Sequence, residues 1–171
     1  MRLSIKELVI FAMLGALMYA AKALLEFLPN IHLVGVFITA TTVVYRKKAL
    51  YPIYIYILIT GLFGGFSTWW LPYLYVWTVL WAFVMLLPRS IPSKLQPLVY
   101  MSVCALHGFL FGTLYAPAQA LLFGLSFQGM LAWIAAGLPW DFIHGVSNFF
   151  CGILIMPLIA AIRLAQRTSA H

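Results

Sequence analysis

Long apolar runs separated by short polar breaks make up most of the sequence. A helix needs about 20 predominantly apolar residues to cross the hydrocarbon core of a bilayer, so each run is a candidate membrane span. Six spans are predicted, at residues 7–28, 33–45, 50–66, 72–87, 98–115 and from 139 or 141 to 162. The second run is short, which is compatible with a helix that its neighbours bury.

The run at residues 117–138 is long enough to be a seventh span, but the basic residues argue against it. Cytoplasmic loops of membrane proteins carry the excess of Lys and Arg. With six spans and the N-terminus inside, the basic groups between the runs all lie in the cytoplasm, at residues 2–6, 46–48, 89–94 and 163–167. A seventh span would move the last group outside. Residues 117–138 are therefore predicted to form an outer loop with a short helix at 127–136, which lies over the outer leaflet or dips into it.

The composition strengthens the membrane interpretation. Of the 171 residues, 65% are hydrophobic and 8% are charged, against about 45–50% and about 25% in soluble domains. The net charge of +7 comes mostly from small groups between the apolar runs, so it indicates topology and not nucleic-acid binding. We therefore predict one all-α integral membrane domain over residues 1–171 in the plasma membrane, with six transmembrane helices and both termini cytoplasmic.

Three polar residues stand close together in an otherwise uncharged stretch: Asp141, His144 and Asn148. Spacings of three and four residues place them on one face of a helix. One interpretation is structural, with Asp141 capping the start of the last helix after Pro139 and His144 serving as a packing residue. The alternative, which three convergent polar groups favour, is that this face holds the polar part of a ligand.

Aromatic residues gather at the predicted outer surface, between the third and fourth helices and beside the last one. Trp and Tyr commonly anchor helices at the headgroup level, and anchoring explains any single one of them. Their density also suits the wall of a cavity for a ring-containing solute. The candidates for this wall are Trp69, Trp70, Tyr73 and Trp140.

Ala12, Ala16 and Ala20 repeat at four-residue intervals along the first helix. In a membrane, small residues at this spacing let another helix approach closely. That other helix belongs either to this chain or to a separate subunit, and the pattern does not decide between the two.

Further polar residues lie near the predicted outer end. Lys22 and Glu26 are four residues apart, a spacing at which opposite charges neutralise each other, and this interpretation is favoured over ligand contact. Asn30 and His32, in the first outer loop, are expected to reach the ligand cavity. His107 is isolated in the fifth helix and is expected to be a hydrogen-bonding core residue.

A chain of this length with six spans, cytoplasmic termini, an alanine repeat on the first helix and polar groups at the outer helix ends resembles the substrate-binding S-component of an energy-coupling factor (ECF) transporter. The stretch PWDFIHGVSN also looks like the start of the last helix in members of that family. An S-component captures a vitamin or related micronutrient from outside the cell. It then associates with a transmembrane coupling subunit and two ATPases.

The resemblance implies that Ala12, Ala16 and Ala20 meet the coupling subunit, and that the ligand site is built from three outer regions corresponding to residues 30–32, 66–73 and 128–148. The residues expected to bind the ligand are Asp141, His144, Asn148, Trp140, Trp69, Trp70, Tyr73, Asn30 and His32. No cofactor, metal ion or catalytic residue is expected, because ATP hydrolysis belongs to the partner subunits. Two other functions stay open: a small structural or channel subunit, and an intramembrane enzyme in which Asp141 orients His144 as a base.

Overall fold

Apolar residues in long runs leave the backbone to satisfy its own hydrogen bonds, and an α-helix does this within one segment. In the computed structural model, which describes residues 3–168, the chain is all-helical, and no strand occurs within that range. This confirms the all-α prediction. The helices are Ile5–Leu24 (α1), Val34–Tyr45 (α2), Leu50–Gly64 (α3), Tyr73–Leu86 (α4), Gln96–Phe109 (α5), Phe111–Phe123 (α6), Phe127–Cys151 (α7) and Ile155–Thr168 (α8).

Three helical stretches are long and apolar enough to cross a membrane: Ile5–Leu24, Gln96–Phe123 and Phe127–Arg167. The second joins α5 and α6, and the third joins α7 and α8 through the 3-10 turn Gly152–Leu154. Helix α4 is also apolar but shorter. These stretches indicate a membrane-associated protein.

Helix α2 is the central element, and its neighbours include α1, α4, α5, α7 and α8. Nine of its 12 residues are buried, as expected for a short helix surrounded by others. Two of its three Thr residues satisfy their hydroxyls within the helix, since Thr41 and Thr42 each donate a 2.7 Å hydrogen bond to the carbonyl four residues earlier. The third, Thr39, is buried, and its hydroxyl has no hydrogen-bond partner among the described residues.

Glycines allow two of the closest helix contacts. A Cβ on Gly15 of α1 would lie 2.5 Å from the side chain of Ile55 in α3. A Cβ on Gly108 of α5 would lie 2.8 Å from the Gly145 backbone of α7. These contacts fix α1 on α3 and α5 on α7 at small separations, the packing that small residues permit between membrane helices.

The segment at residues 117–138 differs from its prediction. Helix α6 continues through Pro117 to Phe123, the chain reverses at Gly124 with φ +64°, and α7 runs without a break from Phe127 through Pro139. The predicted loop is thus a helical hairpin, and the predicted helix at 127–136 is only the first part of α7. Ser126, between the two helices, is the N-cap of α7, and its hydroxyl accepts a hydrogen bond from the Gly129 amide at 3.1 Å. The polar residue Ser126 therefore marks the start of a helix and not the middle of a loop.

The fifth predicted helix, at residues 98–115, is also divided differently. Helix α5 ends at Phe109 and α6 begins at Phe111, so the break lies at Leu110 and not at Ala116-Pro117. An apolar run contains no mark for such a break. The break at Leu110 places the first turn of α6 beside the middle of α7, where the Gly112 amide bonds to Asp141.

The two ends of the fold carry different side chains. At one end, which we call the histidine end, lie His32, Tyr73, Phe111 and His144. At the other, the arginine end, lie Arg46, Arg89 and Arg163. Helix α2 starts just after His32 and stops just before Arg46, so the two ends are separated by at least its length, about 18 Å.

Candidate ligand cavity

Two cavities at the histidine end share Lys22, Glu26 and Tyr73, and we call them together the paired cavity. The larger, of about 390 Å³, lies between the ends of α1 and α3. The smaller, of about 200 Å³, lies under the loop between α1 and α2. Two grooves of about 520 Å³ lie along the flanks of α1 and α3, but their linings are mainly apolar. The paired cavity combines charged groups, aromatic rings and imidazoles.

The smaller cavity has two imidazoles in its lining. The rings of His32 and His144 are in contact, with centroids 4.7 Å apart. His144 is only 2% exposed, and its Nε2 has no hydrogen-bond partner among the described residues; the same holds for Nδ1 of His32. A buried polar atom without a partner costs about 1–3 kcal/mol. A ligand or a water molecule in this cavity would remove that cost.

His32 belongs to the loop before α2, where burial lowers its pKa to about 4 and the positive charge of Lys22 adds to the effect. At neutral pH its imidazole is therefore uncharged. A neutral imidazole donates through one ring nitrogen and accepts through the other. The pair of rings can thus bind a neutral or anionic polar group without presenting a fixed charge.

Aromatic rings continue the wall beside the imidazoles. Phe111 lies 4.9 Å from His144, and Trp77 lies 5.8 Å from His32, measured between ring centroids. The His107 ring packs against Trp77, with ring centroids 5.6 Å apart, and its Nε2 lies 3.0 Å from the Val76 carbonyl oxygen. His107 therefore has the hydrogen-bonding core position that the sequence predicts for it. Phe111 was not identified from the sequence, because nothing in an apolar run distinguishes it.

Lys22 and Glu26 lie where the two parts of the paired cavity meet. Their charged atoms are 3.9 Å apart, and 25% of the Lys22 side chain and 74% of the Glu26 side chain are exposed. The pair is formed as the sequence suggests, yet both residues also line the cavity. The signal that could have identified them is their position, since they are the only charged residues in the outer half of the first run.

Asp141 does not cap its own helix, so that structural interpretation is wrong. It lies inside α7, and its Oδ1 accepts a hydrogen bond of 2.9 Å from the backbone amide of Gly112 in the first turn of α6. A Cβ on Gly112 would come within 2.4 Å of Oδ2. Asp141 thus caps a neighbouring helix, with its carboxylate at the positive end of the α6 dipole, and it is not part of the cavity lining.

Asn148 is fully buried and lies between helices. Its Nδ2 donates a hydrogen bond of 3.3 Å to the Cys104 carbonyl of α5. A Cβ on Gly35 of α2 would lie 3.6 Å from the same amide group. Asn148 therefore connects α7 to α5 beside α2, and like Asp141 it lies outside the cavity lining.

The predicted aromatic wall is only partly present. Trp69 and Tyr73 line the larger cavity, with ring centroids 5.6 Å apart. Trp70 instead donates its indole N–H to the Ile57 carbonyl at 2.8 Å and packs on α3. Trp140 is 53% exposed and lines neither part of the paired cavity.

The first loop is held close to α7. Asn30 and His32, which the sequence predicts to bind the ligand, both line the smaller cavity. The Asn30 carbonyl accepts a hydrogen bond of 2.9 Å from the Ser147 hydroxyl, and Asn30 has φ +58°, a left-handed conformation that Asn tolerates better than most residues. This contact brings His32 next to His144.

Ala12, Ala16 and Ala20 are all exposed on α1. A close internal contact of this helix is made instead by Gly15, about 100° around the helix from Ala16. The alanine face thus has no partner among the described residues. No group of three or more metal-ligating side chains capable of holding a metal ion occurs within residues 3–168.

The chain has no significant match to a protein-family model, a curated protein or a solved structure.

Proposed function

We propose that the protein is a membrane-embedded substrate-binding subunit, of the S-component type used by ECF transporters, that captures a vitamin or related micronutrient from outside the cell. The observation that carries the proposal is the paired cavity. It combines two buried imidazole nitrogens without partners, an opposite-charge pair and aromatic walls in a chain otherwise poor in polar groups. Such a lining suits a small polar solute that contains a ring.

In this proposal α1, α2, α3, α4, α5–α6 and α7–α8 are six spans, with the histidine end outside and both termini in the cytoplasm. The distribution of charge supports this orientation. Arg46, Arg89 and Arg163 gather at the end opposite to the paired cavity, and basic residues favour the cytoplasmic side. Lys22 is the exception at the histidine end, where Glu26 pairs with it.

The proposed roles follow from position. His32, His144 and Asn30 bind the polar part of the solute, while Tyr73, Trp69 and Phe111 cover its flat part. Lys22 and Glu26 interact with charged or hydrogen-bonding substituents. Asp141 and Asn148 do not touch the solute in this proposal. They position His144, because they bind α7 to α6 and to α5 on either side of it.

The exposed alanine face of α1 is the proposed docking surface for a transmembrane coupling subunit, itself joined to two ATPases. Small side chains permit close helix approach in a membrane. Because Gly15 already provides the internal contact, the alanines are available to a second protein. ATP hydrolysis is proposed to occur in those partners.

The test is to purify the full chain from cells grown in rich medium and to identify retained small molecules by mass spectrometry. We expect one solute in stoichiometric amount, and a loss of retention of about tenfold or more in His32→Ala/His144→Ala, because hydrogen bonds of this kind contribute about 1 kcal/mol each. Trp140→Phe, outside the cavity, is the matched control and should retain the solute. A wild-type protein without any retained solute, or equal retention by the double variant, contradicts the proposal.

A further inference from the structure

Three arginines from separate elements meet in one cavity at the arginine end. The cavity has a volume of about 470 Å³. Arg46 comes from the 3-10 turn before α3, Arg89 from the connection between α4 and α5, and Arg163 from α8. The fold therefore brings three arginines that are far apart in sequence to the lining of one cavity.

The chain has no carboxylate side chain left to neutralise them. It contains three acidic residues, and each is engaged elsewhere. Glu7 pairs with Lys48 at 2.5 Å, and Glu26 pairs with Lys22 at 3.9 Å. Asp141 caps α6 near the histidine end. Like charges that converge without a counter-charge repel one another, so an anion from outside the chain would stabilise this arrangement.

Arg46 is held in a conformation that residues other than glycine rarely adopt. Its φ is +52° and its ψ is −120°, a strained placement for a residue with a side chain. Two contacts hold it there: the Trp81 indole donates to the Arg46 carbonyl at 3.1 Å, and the Arg46 guanidinium donates to the Met85 carbonyl at 3.0 Å. No other hydrogen bond of the Arg46 guanidinium occurs within residues 3–168, which leaves donors for an anion, and sites with such backbone strain are often functional.

The rest of the lining has an apolar part, formed by Val43, Val84, Leu87 and Pro88, beside the polar groups of Gln96 and Tyr100. A free phosphate ion makes no use of the apolar part, whereas a phospholipid does, because its glycerol and upper acyl carbons lie next to its phosphate. The cavity also lies at the ends of apolar helices, the level at which headgroups are found. Basic pockets between membrane helices on the cytoplasmic side bind anionic headgroups, and the planar arginine fork matches phosphate oxygens.

We propose that the cavity formed by Arg46, Arg89 and Arg163 is a binding site for the phosphate of an anionic phospholipid. The negative charge of the lipid phosphate offsets part of the positive charge of the three guanidinium groups, and the lipid connects α2, α4 and α8 at this end of the molecule. The site is separate from the paired cavity and does not depend on which solute that cavity binds.

The test uses the full chain in detergent and two charge-matched double variants. Arg89→Gln/Arg163→Gln removes two cavity arginines, both exposed, so their loss disturbs no core packing. Lys94→Gln/Arg167→Gln removes two positive charges from the same end that do not line the cavity. Each protein is titrated with phosphatidylglycerol, phosphatidylcholine and inorganic phosphate. Retained lipid is read by native mass spectrometry, and the melting temperature is read in parallel.

For the wild type we expect phosphatidylglycerol to be retained and to raise the melting temperature, and the other two additives to do neither. The cavity variant should bind phosphatidylglycerol at least about tenfold more weakly, while the surface variant should bind like the wild type and both melt normally without lipid. Equal weakening in both variants would indicate general surface charge and overturn the proposal. Unchanged binding in the cavity variant would overturn it too, and stabilisation by inorganic phosphate alone would replace the lipid with a free anion.

Discussion

At the residue scale, the polar side chains of α7 have two different roles. Asp141 and Asn148 each bond to a backbone group of α6 or α5 through one side-chain atom, and their second polar atoms have no partner among the described residues. His144, about one turn from each, differs in lining the paired cavity, where its Nε2 has no such partner either. The spacing in the sequence places all three on one face, which is correct. It cannot show what each one meets, because the Gly112 amide and the Cys104 carbonyl are backbone atoms that no residue type reveals.

Asp141 provides a prediction that separates the two roles. Asp141→Asn keeps a side-chain oxygen for the Gly112 amide, so we expect near-normal stability and near-normal solute affinity. Asp141→Ala leaves that amide buried without a partner, which should lower the free energy of unfolding by about 1–3 kcal/mol. Thermal unfolding in detergent and solute titration measure the two effects separately. Weakened solute binding by a stable Asp141→Asn protein would instead place the carboxylate in contact with the solute.

At the scale of elements, the two faces of α1 should respond differently to substitution. Ala16 is exposed, whereas a Cβ on its neighbour Gly15 would lie 2.5 Å from Ile55. We expect Ala16→Trp to abolish uptake and co-purification with a coupling subunit while the isolated protein binds solute normally, because the bulky ring covers only the docking face. Gly15→Ala should instead reduce stability by about 1–3 kcal/mol.

The comparison needs both readouts on each variant: co-purification with the coupling subunit and thermal stability in detergent. Loss of stability in Ala16→Trp would mean that the alanine face packs inside the protein. Normal uptake by a stable Ala16→Trp protein would mean that the alanine face does not contact the coupling subunit.

Helix positions follow from the sequence most closely where a run is bounded by strong signals. Helix α2 lies at Val34–Tyr45 against a prediction of 33–45, because a basic group follows it directly. The α6–α7 hairpin differs from the prediction because the basic residues argue against a seventh span, and because the predicted helices end before Pro117 and begin again at 139 or 141. Proline breaks a helix in water, but in an apolar environment neighbouring helices can compensate for the lost backbone hydrogen bond. Contacts with neighbouring helices, and not the local sequence, thus allow α6 and α7 to continue through their prolines.

At the scale of the whole molecule, the two ends of the helical bundle have cavities with different charge and different side chains. The histidine end has a near-neutral cavity with paired charges, while the arginine end has unpaired positive charge. This asymmetry agrees with a protein that receives a solute on one side of a membrane and meets anionic headgroups on the other. It also follows from the sequence, because the basic residues alternate with apolar runs of the right length.

Site-directed labelling tests the orientation of the molecule. Ser67 lies in the connection before α4 at the histidine end, Ser90 lies in the connection before α5 at the arginine end, and both are exposed. With Cys104 and Cys151 replaced by Ala, a cysteine at position 67 should react with a membrane-impermeant maleimide applied to intact cells. A cysteine at position 90 should react only after the cells are opened, because the positive-inside tendency holds the basic end in the cytoplasm. The opposite pattern would place the paired cavity inside the cell and exclude uptake through it, whereas labelling of both positions in intact cells would mean that the bundle does not span the membrane as proposed.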